Sequence, residues 1–201
     1  MSKEYGKFEI QLFQAGWQLL IQDGLRSFTV EDLAARLGVS KKTIYQTVAS
    51  REKLIENTIR FALEDVELKI LDIIDSEANP LLRFIGIIRY VAAFLSQIPT
   101  QRLLDLKLRY PKIWQIVEEF RFDRRRQFQV ILQEASAAGY VREDLDVDKF
   151  VLLLMQMINS IFQPEFLVRN NLAIPDTIRF FFRIITIGTF TAEGRKHVES
   201  F

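Results

Sequence analysis

Apolar residues recur every three or four positions along most of this chain, which is the spacing of an amphipathic helix. Gly and Pro, the residues that interrupt helices, number only eight and five among 201 residues. No stretch alternates in the manner of a strand. The pattern predicts an all-α fold of about nine helices, over residues 8–22, 30–37, 41–47, 51–75, 80–97, 100–109, 111–138, 147–163 and 176–193.

Two short helices early in the chain carry the spacing of a helix-turn-helix. Ala34 is small enough for a close helix contact, and Gly38 permits the left-handed conformation that a tight turn needs. Val39 and Ile44 supply the apolar groups that fill the angle between the helices. Residues 36–53 hold five basic side chains and one acidic side chain. This stretch is therefore the candidate nucleic-acid surface.

These residues resemble the N-terminal domain of TetR-type transcriptional regulators. The resemblance covers FTVEDLA at 28–34, GVSKKTIY at 38–45 and SREKL at 50–54, and GTFTAEGR at 188–195 is similar to the family's frequent C-terminal ending. It implies a three-helix DNA-binding domain over 1–48, and an effector-binding and dimerisation domain over 49–201. It also implies an unknown small-molecule effector and, as the family default, repression.

In this interpretation helix 41–47 enters the major groove of a double-stranded operator. Gln46 suits adenine, and the neighbouring lysines suit guanine or phosphate. The resemblance implies a phosphate contact for the Tyr45 hydroxyl. The alternative is a solvated basic helix face. The expected DNA-contacting residues are Thr29, Ser40, Lys41, Lys42, Thr43, Tyr45, Gln46, Thr47 and Arg51.

Three positions depart from the family pattern. Val48 stands where a Phe usually anchors the recognition helix, and Thr47 stands where a Tyr or His often meets the DNA backbone. Arg51 replaces the usual Lys, and we expect it to pair with a phosphate.

The C-terminal helices predict a homodimer. Helices 147–163 and 176–193 are apolar on more than one face, so each needs two neighbours, of which a partner subunit is the natural second. The alternative is a monomer with a thick core. The expected interface residues are Leu154, Met157, Ile161, Phe162, Ile178, Phe181, Phe182 and Ile185.

By resemblance, the middle helices form the effector pocket, with helix 51–75 as the mechanical link to the DNA-binding domain. Ordinary core packing is the alternative for every apolar member of the candidate set. That set is Phe84, Ile88, Leu104, Leu108, Trp114, Val117, Arg121, Met155 and Asn159, of which Arg121 or Asn159 would be the polar anchor.

The composition argues against catalysis. The chain has no Cys and a single His near its C-terminal end, which excludes Cys-bound metals and His clusters. The most apolar stretch, 150–162, is shorter than the about 20 residues that span a bilayer. We therefore predict a cytoplasmic protein that is not an enzyme, with no metal, no cofactor and no membrane contact. Two alternatives remain: a helical dimeric ligand-binding protein whose helix-turn-helix is structural only, and an enzyme built on a helical bundle.

Overall fold

The computed structural model describes residues 5–198 and confirms an all-α fold. Within that range the one β feature is an isolated antiparallel bridge between Val141 and Phe190. The helices are α1 (Lys7–Gln22), α2 (Gly24–Ser27), α3 (Val30–Leu37), α4 (Lys41–Thr47), α5 (Arg51–Ser76), α6 (Pro80–Ser96), α7 (Thr100–Arg109), α8 (Pro111–Asp123), α9 (Arg125–Ala137), α10 (Val147–Ile161), α11 (Pro164–Arg169), α12 (Ile174–Thr189) and α13 (Ala192–Lys196).

Residues 5–198 contain thirteen helices, four more than the nine predicted. The expected long helix over 111–138 is two helices, α8 and α9, which meet at Arg124 although its backbone (φ −70°, ψ −13°) stays in the right-handed region. No Pro or Gly lies at that break, and the helical spacing of apolar residues continues through it. The sequence pattern therefore predicts a single helix there. Three further helices, α2, α11 and α13, occupy segments that the pattern treats as loops or helix ends. Pro164 begins α11, and the Thr191 hydroxyl caps α13 by accepting a hydrogen bond from Gly194 N.

The first of two compact units comprises Met1–Leu68, of which residues 5–68 are described, and Gln101–Ile116. In it α1 packs against α2 and α3, and α3 packs against α4. The ring of Tyr5 meets those of Phe13 and Phe61 edge to face at 5.6 and 5.4 Å. This unit contains the whole helix-turn-helix.

The second unit comprises Lys69–Thr100 and Val117–Phe201, described as far as residue 198. In it α6 packs against α9 and α12, and α9 packs against α10. Phe84 of α6 is fully buried, with the rings of Phe128, Phe182 and Phe190 at centroid distances of 5.7, 6.2 and 5.9 Å. An aromatic cluster thus forms the centre of this unit.

Gly194, near the C-terminal end, lies where two backbone segments pair closely. Thr191 N donates to Tyr140 O at 2.9 Å, and Arg142 N donates to Thr189 O at 3.0 Å. A Cβ on Gly194 would lie 2.6 Å from Tyr140 O. Only a residue without a side chain fits there.

The boundaries of the compact units fall inside α5 and α8 and at the first residue of α7. The division into a DNA-binding domain over 1–48 and an effector domain over 49–201 concerns function, and it stays a prediction. Within the described part of the chain, no single helix is long and apolar enough to cross a membrane; α6 and α7 pass that test only as a pair bent by 80°.

Candidate DNA-binding site

The turn between α3 and α4 has the conformation that the sequence predicts. Gly38 adopts φ 65° and ψ 32°, in the left-handed region. Val39 N donates to Ala34 O at 3.0 Å, which closes the end of α3 and fixes where the chain leaves it. A Cβ on Gly38 would have no atom within 4 Å. The backbone conformation alone therefore requires glycine here.

A small apolar core anchors α4 beneath its exposed face. Ile44 is completely buried, as is Leu33 of α3. Ala34, Val30 and Val48 are also buried. Val48 thus occupies the anchoring position that the family usually gives to a larger Phe. The recognition helix is held by its inner face, which leaves its outer face for contacts with another molecule.

Hydroxyl groups cap both helices of the motif. Ser40 Oγ accepts from Thr43 N at 3.1 Å and lies 2.9 Å from Thr43 Oγ1. Thr29 Oγ1 accepts from Asp32 N at 3.0 Å and donates to the Asp32 carboxylate. These bonds fix where α3 and α4 begin. The expected phosphate contacts of Thr29, Ser40 and Thr43 remain predictions, since each hydroxyl already has a partner inside the protein.

The outer face of α4 is polar. Lys41, Lys42, Tyr45 and Gln46 are exposed, and the Tyr45 side chain makes no hydrogen bond with another described residue. Thr47 is partly buried, and its hydroxyl donates to Thr43 O at 3.4 Å along the helix. The face therefore offers two ammonium groups, a phenol and an amide within two helical turns. These are groups that reach phosphates and base edges.

The two lysines of this face differ in electrostatic environment. Lys41 Nζ lies 2.9 Å from Glu31 Oε1 of α3. This hydrogen bond lowers the pKa of the Glu31 carboxyl and raises the pKa of the Lys41 ammonium. Among residues 5–198, Lys42 forms no ion pair. Lys42 is therefore the cation of this face whose charge no neighbouring carboxylate offsets.

Arg51 forms hydrogen bonds inside the protein. Its Nε donates to Phe28 O at 2.7 Å and its Nη2 donates to Leu25 O at 2.6 Å. Its Nη1 donates to the Tyr110 hydroxyl at 2.5 Å. Three of the five guanidinium N–H donors are thus engaged inside the protein, and the side chain is partly buried. The expected phosphate contact of Arg51 stays a prediction.

The expected dimer-interface residues differ in their burial within the single chain. Leu154, Ile178, Phe182 and Ile185 are buried within the single chain, so they belong to its own core. Ile161, Phe162 and Phe181 are partly exposed, and the rings of Phe162 and Phe181 pack edge to face at 6.3 Å. The residues of α10 and α12 that do present apolar surface are Leu152, Leu153, Met157, Phe180, Ile184 and Ile187.

The predicted pocket set is divided between the compact units. Leu104, Leu108 and Trp114 belong to the first, where Leu108 is exposed and Trp114 is buried. The other six residues belong to the second. There, Phe84 and Met155 are buried, whereas Ile88, Val117, Arg121 and Asn159 are partly exposed.

Burial lowers the pKa of the Arg121 guanidinium, one of the two proposed polar anchors. The other, Asn159, lines an open groove of about 530 Å³ between α8 and α10. The remaining lining of that groove lies outside the predicted set and includes Glu118, Glu119 and Phe122.

Three residues that position elements of the first compact unit are not predicted from the sequence. The Tyr110 hydroxyl accepts a hydrogen bond from Arg51 of α5, and Arg102 contacts the segment before α3. Gly16 allows α1 to approach Thr58 of α5 closely. Gly16 sits inside a helical pattern, which is a usual signal of close packing. Tyr110 and Arg102 carry no such signal, because their partners are more than fifty residues away in sequence.

Comparison with known proteins agrees with this geometry. Residues 12–58 match the family model described as bacterial regulatory proteins, tetR family. The HTH-type transcriptional repressor KstR2 of Mycobacterium tuberculosis is 29% identical over 149 residues, 69% of this chain and 71% of the relative. The solved structure of the ketosteroid transcriptional regulator KstR2 from that organism matches with a TM-score of 0.55 at 22% identity, covering 94% and 97% of the two chains. A TetR transcription regulator from Haloarcula marismortui matches with a TM-score of 0.72 at 14% identity, covering 93% and 100%.

A capped helix-turn-helix with an exposed basic second helix defines a class, the DNA-binding transcriptional regulators. Within that class, the chain is similar to the tetR family of bacterial regulatory proteins, whose model matches residues 12–58. The relatives are named as regulators, which confirms the prediction of a DNA-binding protein that is not an enzyme. Nothing in these comparisons supports a helix-turn-helix that is structural only.

Proposed function

We propose that this protein is a cytoplasmic, homodimeric repressor that binds a palindromic operator and releases it when a small molecule binds in residues 49–201. The observation that carries the proposal is the outer face of α4, whose lysines, Tyr45 and Gln46 are exposed above a buried apolar anchor. Repression rests on the name of the KstR2 relatives, which are called transcriptional repressors.

A dimer is needed because one short helix contacts too few base pairs to select a site. Helix-turn-helix proteins usually present two recognition helices to half-sites about 34–36 Å apart. The apolar surface of α12 supports such a dimer: Phe180, Ile184 and Ile187 are 68%, 54% and 57% exposed and follow one another at helical spacing. Leu153 and Met157 form a similar exposed pair on α10. Contiguous apolar stripes of this kind mark protein interfaces.

The effector proposal rests on the second compact unit. Its interior is apolar and rich in aromatic side chains, and Arg121 brings a charged group to the same unit. Similar folds include one described as a fatty acid degradation regulator and another solved in complex with choline, each under 25% identical to this chain. We use these similarities only to choose compounds for a first screen, and the effector itself is not identified by them.

The test is selection of duplexes from a random pool by the full chain. The proposal expects enrichment of an inverted repeat with half-sites one helical turn apart, occupied by two chains. Addition of a ketosteroid, a fatty acyl compound or choline to the selected complex then screens for release. Enrichment of no sequence, or binding of a single chain to one half-site, would refute the operator and dimer proposals.

A further inference from the structure

The engagement of Arg51 inside the protein assigns it a task other than phosphate binding. We propose that Arg51 and Tyr110 together position the recognition motif, so that the junction between α7 and α8 sets the affinity for DNA. The inference rests on the proposed DNA-binding function. The family pattern suggests that the side chain at this position binds a phosphate directly. In this proposal Arg51 instead affects DNA binding indirectly, through the position of α3.

Arg51 holds the segment before α3, residues 22–28, by two hydrogen bonds to its backbone. Its Nη2 and Nε bind the carbonyls of Leu25 and Phe28, which lie near the two ends of the four-residue α2. Phe28 is completely buried, and α3 begins two residues later. A guanidinium presents its donors in a fixed plane. It therefore holds both carbonyls, and with them the start of α3, in one orientation relative to the first turn of α5.

The second step is the link from Arg51 to Tyr110. Tyr110 lies between the end of α7 and the start of α8, and its N–H donates to Leu106 O at 2.8 Å. Its carbonyl accepts from the N–H groups of Ile113 and Trp114, both at 3.0 Å. The backbone of Tyr110 is thus fixed to both helices. Its hydroxyl, 2.5 Å from Arg51 Nη1, moves with their junction.

A second contact from α7 holds the other end of the same segment. Arg102 Nη2 donates to Gln22 O at 3.3 Å. Its guanidinium also lies against Gly24, where an added Cβ would come within 2.9 Å of three of its atoms. Residues 22–28 are therefore contacted at one end by Arg102 and at the other by the pair of Arg51 and Tyr110. A displacement of the junction between α7 and α8 would therefore move the segment that leads into α3.

The first arm of the test measures hydrogen exchange of the full chain without DNA. Tyr110→Phe removes one oxygen and leaves the ring. We expect faster exchange in Gly24–Leu37 for this variant. The matched control is Tyr45→Phe, which removes an exposed hydroxyl with no partner among the described residues, and it should leave exchange in that range unchanged. Unchanged exchange in Tyr110→Phe would overturn the proposal.

The second arm measures affinity for the selected duplex at several salt concentrations. Loss of the hydrogen bond should weaken binding about fivefold in Tyr110→Phe, and Arg51→Gln should weaken it at least as much. The slope of log K against log salt should not change, and the double variant should bind no more weakly than Arg51→Gln alone. A slope reduced by about 0.9 in Arg51→Gln, as expected for one lost phosphate contact, would overturn the proposal. So would unchanged affinity in Tyr110→Phe.

The two arms separate this inference from the proposed function. If the wild-type chain selects no duplex, the proposed function fails, and exchange alone decides whether Tyr110 holds the start of α3. If Arg51→Gln does not fold, Tyr110→Phe still carries both measurements, because it changes a single hydroxyl.

Discussion

Lys41 Nζ of α4 lies 2.9 Å from Glu31 Oε1 of α3, so a carboxylate lies beside the surface that we propose binds DNA. Both side chains are more than half exposed. The ion pair can therefore exchange for a contact between Lys41 and a phosphate. Glu31 repels that phosphate and competes for the lysine.

The first prediction follows from this pair. Glu31→Gln should strengthen duplex binding at low salt, roughly twofold to fivefold, because the competing charge is removed. The effect should diminish as salt rises. The control is Glu143→Gln, which changes the net charge equally at an exposed residue of the second compact unit. Equal effects of the two substitutions on affinity would mean that net charge alone is responsible.

The second prediction concerns the turn at Gly38. Gly38→Ala places a side chain in the left-handed conformation, at a cost of about 1–2 kcal/mol in the free energy of unfolding. Gly38→Asn should cost less, because asparagine tolerates that conformation. Since a Cβ at Gly38 has open space, steric overlap adds nothing. Chemical denaturation of the three chains checks the order Gly, Asn, Ala; equal stability of the Ala and Asn variants would contradict it.

The third prediction concerns the approach of α1 to α5. A Cβ on Gly16 would lie 2.8 Å from Thr58 Oγ1, closer than packed atoms allow. Gly16→Ala should therefore destabilise the protein by about 1–3 kcal/mol. Thr58 is completely buried, and its hydroxyl has no hydrogen-bond partner among the described residues.

The same site gives a matched control. Thr58→Val keeps the shape and removes an unsatisfied hydroxyl, so it should leave the free energy of unfolding unchanged or raise it. A large loss of stability in Thr58→Val, measured by denaturation, would show that the hydroxyl does have a partner.

The fourth prediction separates the exposed stripe of α12 from its buried face. Ile184 is 54% exposed, whereas its neighbour Ile185 is buried at 9%. Ile184→Glu should give a folded monomer by sedimentation, with near-native circular dichroism. Ile185→Glu should unfold the chain, because it buries an unpaired charge. A folded dimer of Ile184→Glu would place the interface elsewhere.

The local features of the DNA-binding motif could be predicted because they depend on neighbouring residues. The conformation of Gly38, the caps at Thr29 and Ser40, and the burial of Ile44 follow from steric and hydrogen-bonding rules that act over a few positions. The structure shows each of them.

Features that depend on distant partners could not be predicted in this way. The charge and position of Arg51 fit a phosphate contact, but its partner Tyr110 lies 59 residues away. Apolar residues occur on both faces of α12, and periodicity alone does not say which face meets the core. The expected interface residue Ile185 is buried in the single chain, whereas its neighbour Ile184 is exposed. The break at Arg124 has no sequence signal that we can name.

We propose above all that α4 binds the DNA backbone and bases through its exposed polar face. The most direct test is the slope of log K against log salt for the selected duplex, measured for the wild type and for Lys42→Ala. We expect a steep negative slope for the wild type, and a slope shallower by about 0.9 when Lys42, which forms no ion pair among residues 5–198, is replaced by Ala. An affinity that does not change with salt, or identical slopes for the two chains, would contradict it.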